Sequence, residues 1–405
     1  MIPDIVPPLL VVLFLLAFDV QNVAAGMNWR VVQPTGRTTR DYTIIVPIWG
    51  DPRYWGNREH LEPYKDRVLL ACNVHTPQMA AFADRIEREG WRVFRTWDDP
   101  KISPAQTIRK ALAAVDTKWV LRLDGDSFPA DDFGKAVAAA EDADADVCSV
   151  KVLPSRRHTV AEQLQGVEYD IAMRGRHVRP WATSGACHIV RTEAMRAIMR
   201  KHSLWFFGED IETGVIAEHL QLKVRHVDFV VYTVVPETFR QLFKQRRCWW
   251  AGHFRLSVLN FEQQIRFPVL AMYNVGLIYL LLHGKWHELI TATQVIPVLI
   301  LVYTLLTTLS NWPVRSRWLI AFPYYTLAQA LIMPPIGALY YFVTRLRWRR
   351  AGRYLITFFK ARPGSPVELR SHTLAARAVR LAWHVAFLVA IAAPVAVAVA
   401  AAQLA

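Results

Sequence analysis

Charge is scarce in this 405-residue chain: Asp, Glu, Lys and Arg make up 20% of it against 53% hydrophobic residues. Acids are scarcer still, 34 Asp and Glu facing 48 Lys and Arg for a net charge of +14. So apolar a composition excludes a disordered chain. A mean hydropathy of +0.15 is also too high for an average soluble protein of 46.3 kDa, and the surplus is expected in a membrane. Cysteine is nearly absent: Cys72, Cys148, Cys187 and Cys248 are scattered without a Cys-x-x-Cys pair. That excludes a zinc ribbon and a disulfide framework, and the four read as reduced thiols facing a cytosol. The chain lacks internal repeats and nucleic-acid-binding motifs. Its Lys and Arg crowd beside apolar runs, so anionic lipid and phosphorylated substrates are the expected partners, not nucleic acid.

What is present is a set of long apolar runs around a globular middle. Ile5 to Phe18 is uninterrupted; Asp4 is the only charge before it, and Arg30, Arg37 and Arg40 follow. That pattern favours a membrane anchor within residues 1–40, N-terminus outside, over a secretory signal. Residues 41–240 alternate short apolar runs (Thr43 to Ile48, Val68 to Ala71, Trp119 to Leu123, Val147 to Val152) with helical patterns such as Met79 to Glu89 and Ala105 to Ala114. Alternating strands and helices predict an α/β sheet. Beyond Pro268, four runs are long and apolar: Phe267 to His283, Leu289 to Leu309, Trp318 to Val343 and Leu381 to Ala402. If all four crossed, Arg345 to Arg380, with ten Lys and Arg against Glu368 alone, would lie outside, contrary to the positive-inside rule. Parity is restored if Trp318 to Val343, interrupted by Pro334, Pro335 and Gly337, is a re-entrant or interfacial pair of half-helices. The expected order is a cytosolic domain (41–240), an interfacial helix (241–265), a transmembrane hairpin (266–310), the re-entrant segment (317–345), a basic cytosolic stretch (346–377) and a last span (378–405).

Three segments carry chemistry. Trp119 to Leu123 ends in Asp124-Gly125-Asp126, two carboxylates leaving the carboxyl edge of a strand, where open α/β sheets bind ligands. They suit a divalent ion whose other ligands are diphosphate oxygens, or simply a turn. Gly208-Glu209-Asp210 opens the helical pattern Ile211 to Leu220, either as capping charge or as a carboxylate poised to take a proton. Gln241 to Arg255 is cationic and aromatic just ahead of the apolar region. It suits the headgroup layer and, through Arg, a diphosphate.

Together these segments resemble the family-2 glycosyltransferases, in particular membrane-embedded processive polysaccharide synthases similar to hyaluronan, cellulose and chitin-oligosaccharide synthases. Ile44 to Trp49 looks like the family's first strand with its Val-Pro turn, and Asp124-Gly125-Asp126 like its metal-binding Asp-x-Asp. Ser184-Gly185-Ala186-Cys187 matches the acceptor-side segment, Glu209-Asp210 the Glu-Asp pair that supplies the base, and Gln245 to Trp249 the Gln-x-x-Arg-Trp motif. The resemblance implies a GT-A-type nucleotide-sugar domain with a mixed, mainly parallel sheet, beside transmembrane and interfacial helices in the cytoplasmic membrane. It implies Asp210, with Glu209, as catalytic carboxylates, and Mg2+ or Mn2+ on Asp126 and Asp124. Pro47, Asn73, Lys101, Asp124, Arg246 and Arg247 would lie on a UDP-sugar donor, and Ser184, Gly185, Trp249 and Trp250 on the acceptor. Two departures stand out: Ala71-Cys72-Asn73 replaces the usual Asp-Asp-Gly, and Cys248 replaces the Arg before Trp. Tyr341 to Arg345 resembles a gating loop of cellulose synthases. The implied activity is inverting transfer of a sugar to a growing polysaccharide, which is conducted across the membrane. The alternative is transfer of one sugar to a polyprenyl phosphate. A transporter is disfavoured, because the spans are almost free of charge.

Overall fold

The computed structural model describes residues 31–97, 104–176, 181–204, 208–259, 266–311 and 316–347. The expected anchor run, the basic stretch from 348, the last span and Lys101 lie outside the described residues.

One sheet contains β1 (Val31–Val32), β2 (Tyr42–Ile48), β3 (Val68–Asn73), β4 (Arg92–Thr96), β5 (Trp119–Leu123), β6 (Ser127–Pro129), β7 (Val147–Pro154), β8 (Cys187–Arg191) and β9 (Val224–Thr233). Its order is β1-β9-β7-β8-β5-β2-β3-β4, with β6 added on β9. Strand β8 runs antiparallel to β5 and β7, and β6 antiparallel to β9; the other pairs are parallel, so the sheet is mixed and mainly parallel as expected. The central strands read as largely apolar runs because both their faces are covered. Helices α1 (Pro77–Arg88) and α3 (Phe133–Asp142) cover one face, where Ile44, Val46, Leu70 and Leu121 pack with Met79, Phe82 and Val137. Helices α2 (Pro104–Ala111), α5 (Thr192–Lys201) and α6 (Glu209–His219) cover the other, where Ile45, Leu69 and Val120 meet Ile108, Ile198 and Val215. From β2 the chain steps outward to β3 and β4, then returns to β5 on β2's other side. The order thus reverses between β2 and β5, and the crevice for a ligand opens at their carboxyl ends. Pro47, ordinarily foreign to a central strand, lies beyond Ile45, the last β2 residue paired with β5.

Helix α4 (Val160–Gly175) begins at a capping box between Thr159 and Glu162. It joins the sheet domain to the C-terminal helices: α7 (Phe239–Leu259), α8 (Arg266–Leu282), α9 (Trp286–Thr293), α10 (Val295–Ser310) and α11 (Phe322–Arg347). Leu164 and Val167 of α4 pack with Leu242 of α7 and with Leu319, Phe322 and Tyr325 at the start of α11. Trp286–Leu309 and Phe322–Thr344 are long and apolar enough to cross a membrane.

The expected break at Pro334-Pro335 is absent: α11 is one helix with both prolines inside it. Proline 334 cannot bond the carbonyl four residues back, and that carbonyl, of Ala330, accepts instead from the Asn274 side-chain amide of α8 at 2.7 Å. Gly337 brings α11 against α7, since a Cβ there would lie 2.6 Å from the Cβ of Trp250 and 2.7 Å from its carbonyl carbon. The segment resembling a gating loop is likewise helical, with the Tyr341 ring tilted and the Phe342 ring edge-on, each 5.6 Å from Phe254 of α7.

Candidate active site

The Asp-Gly-Asp turn is clamped from below. The backbone N–H groups of Gly56 and Asn57 donate to the Gly125 carbonyl at 2.7 and 3.0 Å. The buried Asn57 amide donates to the carbonyls of Asp124 (3.0 Å) and Ser127 (2.5 Å). Ser127 Oγ donates to Asp126 Oδ1 at 3.2 Å, and Ser127 pairs with Thr233 where β6 joins β9. The turn is therefore rigid, and its two acids leave β5 at the switch point.

Helix α6 brings in the second pair of acids. Gly208 caps it at φ +74°, a conformation that costs glycine little, and a Cβ there would lie 3.3 Å from Cα of Gly252 on α7. Glu209, Asp210 and Glu212 occupy the first turn, where the helix dipole favours negative charge. Asp210 Oδ2 accepts from the N–H of Gly185 at 2.7 Å, and its backbone carbonyl accepts from Thr183 Oγ1. Oδ1 has no hydrogen-bond partner among the described residues.

Arg122, on central strand β5 and 4% exposed, joins the two pairs. Its Nη2 lies 3.0 Å from Asp124 Oδ1 and 3.2 Å from Glu209 Oε1. Burial, with Asp126 and Asp210 nearby, pushes the Asp124 carboxyl up, opposed by Arg122. Glu209 is pushed up for the same reasons, burial first and then Asp210. Asp126 is also raised by burial, against the Ser127 hydrogen bond. Beside Arg122 in the β5–β8 register lies His188, which burial and then Arg122 hold down at about 4, hence neutral at pH 7. A second guanidinium, Arg176 just past α4, has a buried Nε without a partner and is held down at about 10 by burial. Asp210 and Tyr169 oppose that shift.

The expected site residues fall into two groups. Pro47, Asp124, Asp126, Ser184, Gly185, Glu209 and Asp210, with the fully buried Asn73 ending β3, surround the carboxyl edge. Arg246 and Arg247, expected on the diphosphate, lie on α7 in the helical layer. Arg246, 2% exposed, is paired with Glu168 at 2.7 Å, and Tyr325 donates to the same oxygen. Arg246 also lies 4.0 Å over the Trp249 ring, and Arg247 4.4 Å over Tyr340. Burial of a charge requires such a partner, and Arg246 has it in Glu168. Among the described residues, Arg122 and Arg176 are guanidiniums whose charge acts on the site's acids. Trp249 is exposed, and Trp250 lies against Gly337 with its ring 6.4 Å from His253.

Sequence reasoning missed Arg122, Asn57 and Arg176. The one available signal was a lone charge inside the apolar run Trp119 to Leu123. No cluster of three His, Cys, Asp or Glu that could hold a metal occurs among the described residues. Two carboxylates on a rigid turn nevertheless fit a Mg2+ or Mn2+ that takes its remaining ligands from phosphates and water.

The chain is similar to several solved structures. A mannosyltransferase, PcManGT from Pyrobaculum calidifontis, in complex with GDP-Man and Mn2+, is 15% identical and covers 87% of this chain and 97% of its own, with TM-score 0.45. S. aureus TarS 1–349 with UDP-GlcNAc is 15% identical over 78% of this chain and 90% of its own, with TM-score 0.37. Glucosyl-3-phosphoglycerate synthase from Mycobacterium tuberculosis, with Mn2+ and UDP-glucose, is 12% identical over 55% and 84%, with TM-score 0.35. No curated protein sequence matches. The family model described as glycosyl transferase family group 2 matches residues 119–343, more than half of the chain and the stretch that holds both acid pairs, and the chain belongs to that family.

Proposed function

We propose that the protein is an inverting, metal-dependent transferase that moves a sugar from a UDP-sugar to a polysaccharide acceptor at the cytosolic face of a membrane. The observation that carries this reading is the shared guanidinium of Arg122, which ties Asp124 of one acid pair to Glu209 of the other at the carboxyl edge of the sheet. A donor diphosphate lying over that edge meets Asp126, and an acceptor hydroxyl meets Asp210. Asp126, with Asp124 beside it, would hold the divalent ion, which supplies charge to offset the leaving diphosphate. Asp210, oriented by the Gly185 N–H, takes the acceptor proton as the hydroxyl attacks opposite the leaving group. One displacement inverts the anomeric centre. The exposed Trp249 offers a flat face to a sugar ring without tight polar binding. The apolar helices α8 to α11 favour a membrane setting and a product path beside them.

A second reading, transfer of one sugar to a polyprenyl phosphate, is favoured by Cys248 in the Gln-x-x-Arg-Trp position and by the helical form of Tyr341 to Thr344. Purified protein in detergent, given a panel of UDP-sugars with Mg2+ or Mn2+, is expected to release UDP. Alkali-stable polymer supports the first reading, and an acid-labile lipid-linked monosaccharide the second. Asp210→Asn should lower turnover by about a hundredfold or more with donor binding retained, because an amide keeps the shape but cannot take the proton. Turnover near wild type in this variant would remove Asp210 as the base.

A further inference from the structure

Four carboxylates, Asp124, Asp126, Glu209 and Asp210, gather at one edge, the first two expected on the ion and the last two as catalytic carboxylates. Arg122 makes the members of each pair unequal, because it touches one of each. A guanidinium in the middle of a central strand costs several kcal/mol unless its charge is met. Here it is met by two acids 85 residues apart in sequence, Asp124 from the strand end and Glu209 from the first turn of α6. Its Nη1 is buried without a hydrogen-bond partner and faces Gly185, where a Cβ would lie 2.4 Å from it and 3.1 Å from Asp124 Oδ2. Gly185 in turn holds Asp210 through its N–H. The guanidinium thus touches both acid pairs and the backbone that orients the fourth acid.

We infer that Arg122 is a positioning residue that divides the work among the four acids: by engaging Asp124 and Glu209 it leaves Asp126 to the cation and Asp210 to the acceptor. Glu209 is then a structural counter-charge and not a reserve base, and Asp124 is held back from full coordination of a metal. This rests on the proposed transfer for its kinetic consequences, but not for its metal-binding consequence. Lysine cannot replace the arrangement, because a single ammonium lacks the planar fork that reaches two acids while filling the space under Gly185.

The test uses the full chain in detergent, with Arg122→Met and Arg122→Lys. Mn2+ alone, titrated by electron paramagnetic resonance without nucleotide, should bind about fivefold or more tightly in Arg122→Met, because freed Asp124 can join Asp126 on the ion. Turnover of the UDP-sugar should fall about tenfold or more in kcat with KM changed by less than about threefold, the mark of an interaction that matters in the transition state. Arg122→Lys should bring Mn2+ affinity back toward wild type while kcat stays at least about threefold down. Unchanged Mn2+ affinity in a folded Arg122→Met overturns the inference, as does kcat within about twofold of wild type. Should Arg122→Met fail to fold for want of a counter-charge, Arg122→Met/Glu209→Gln removes one acid with the cation and is judged on Mn2+ binding alone: tighter binding supports the inference, unchanged binding overturns it. If wild type turns over no sugar nucleotide, the transfer reading fails, and the Mn2+ titration still decides the role of Arg122.

Discussion

Gly185 has no side chain because the Arg122 guanidinium fills the space where one would go. A Cβ at 2.4 Å from Nη1 must displace something, and the nearest atom belongs to the end of a flexible side chain, not to backbone. Gly185→Ala is therefore expected to cost about 1–3 kcal/mol, the range for overpacking, since the group displaced is a buried and ion-paired guanidinium. Its effect should fall on chemistry, because the displaced guanidinium leaves the carboxylates of Asp124 and Glu209 and shifts the N–H that orients Asp210. UDP release should drop about tenfold while the thermal unfolding midpoint moves by only a few degrees. An active Gly185→Ala enzyme would show that the fork of Arg122 is dispensable. The two acid pairs themselves were legible in the sequence, as motif and spacing carry them. Their shared arginine was not, because nothing local links residue 122 to residue 209; the link is made by packing α6 against the ends of β5 and β8.

At the scale of the element, α6 and α7 are locked together by a buried ion pair. Arg255 of α7 pairs with Glu212 of α6; both are almost fully buried, and Ser203 donates its backbone N–H to Glu212 at 2.9 Å and its hydroxyl at 2.7 Å. Burial works against the Glu212 charge, but Arg255, then His202 at 3.9 Å, and these hydrogen bonds outweigh it and hold the carboxyl at about 2. Because the folded value lies below the ordinary glutamate value of about 4.3, the stability that the ionised carboxylate contributes is fully present at neutral pH. It is lost as pH falls from about 4 through 2. Arg255→Leu leaves the buried acid without its guanidinium and should cost about 3 kcal/mol at pH 7, the low end because Ser203 and His202 remain, whereas Arg255→Leu/Glu212→Leu should recover most of it. Thermal unfolding in detergent at pH 7 and pH 3 checks both, and a single variant as stable as wild type at pH 7 would refute the pair. The same scale explains what local rules misread. Pro334 and Pro335 signal a break by every local criterion, and the expected half-helices followed from that. The helix persists because Asn274, 60 residues earlier in the chain, supplies the hydrogen bond that Pro334 cannot. The strands, by contrast, were legible because each central strand is a buried run with β-favouring residues, a signal that needs no distant partner.

For the whole molecule, the proposed membrane setting assigns each part a side. Both ends of α11 touch groups fixed to the sheet domain: Tyr325 donates to Glu168 of α4, and Tyr341 packs on Ala251 and Phe254 of α7, the helix that Arg255 ties to α6. A helix whose two ends meet α4 and α7, both anchored on the domain, is expected to lie along the membrane surface with that domain rather than to cross away from it. This keeps the parity that the ten Lys and Arg between Arg345 and Arg380 require for a cytosolic position. The turn at Lys285, between α8 and α9, is then the part expected outside. Cysteine labelling with impermeant reagents tests this. Cys72, Cys148 and Cys187 are buried, and burial pushes the Cys72 and Cys148 thiols up to about 12, so they should stay unreactive. Cys248, half-buried, is replaced first. Lys285→Cys should then label in intact cells, whereas Glu193→Cys on α5 and Gly364→Cys in the basic stretch should label only after the cells are opened. Labelling at position 364 in intact cells would mean that α11 crosses after all. The prolines and Gly337 would then serve a membrane-spanning contact with α7, and a product path beside α11 would have to start on the far side of that contact.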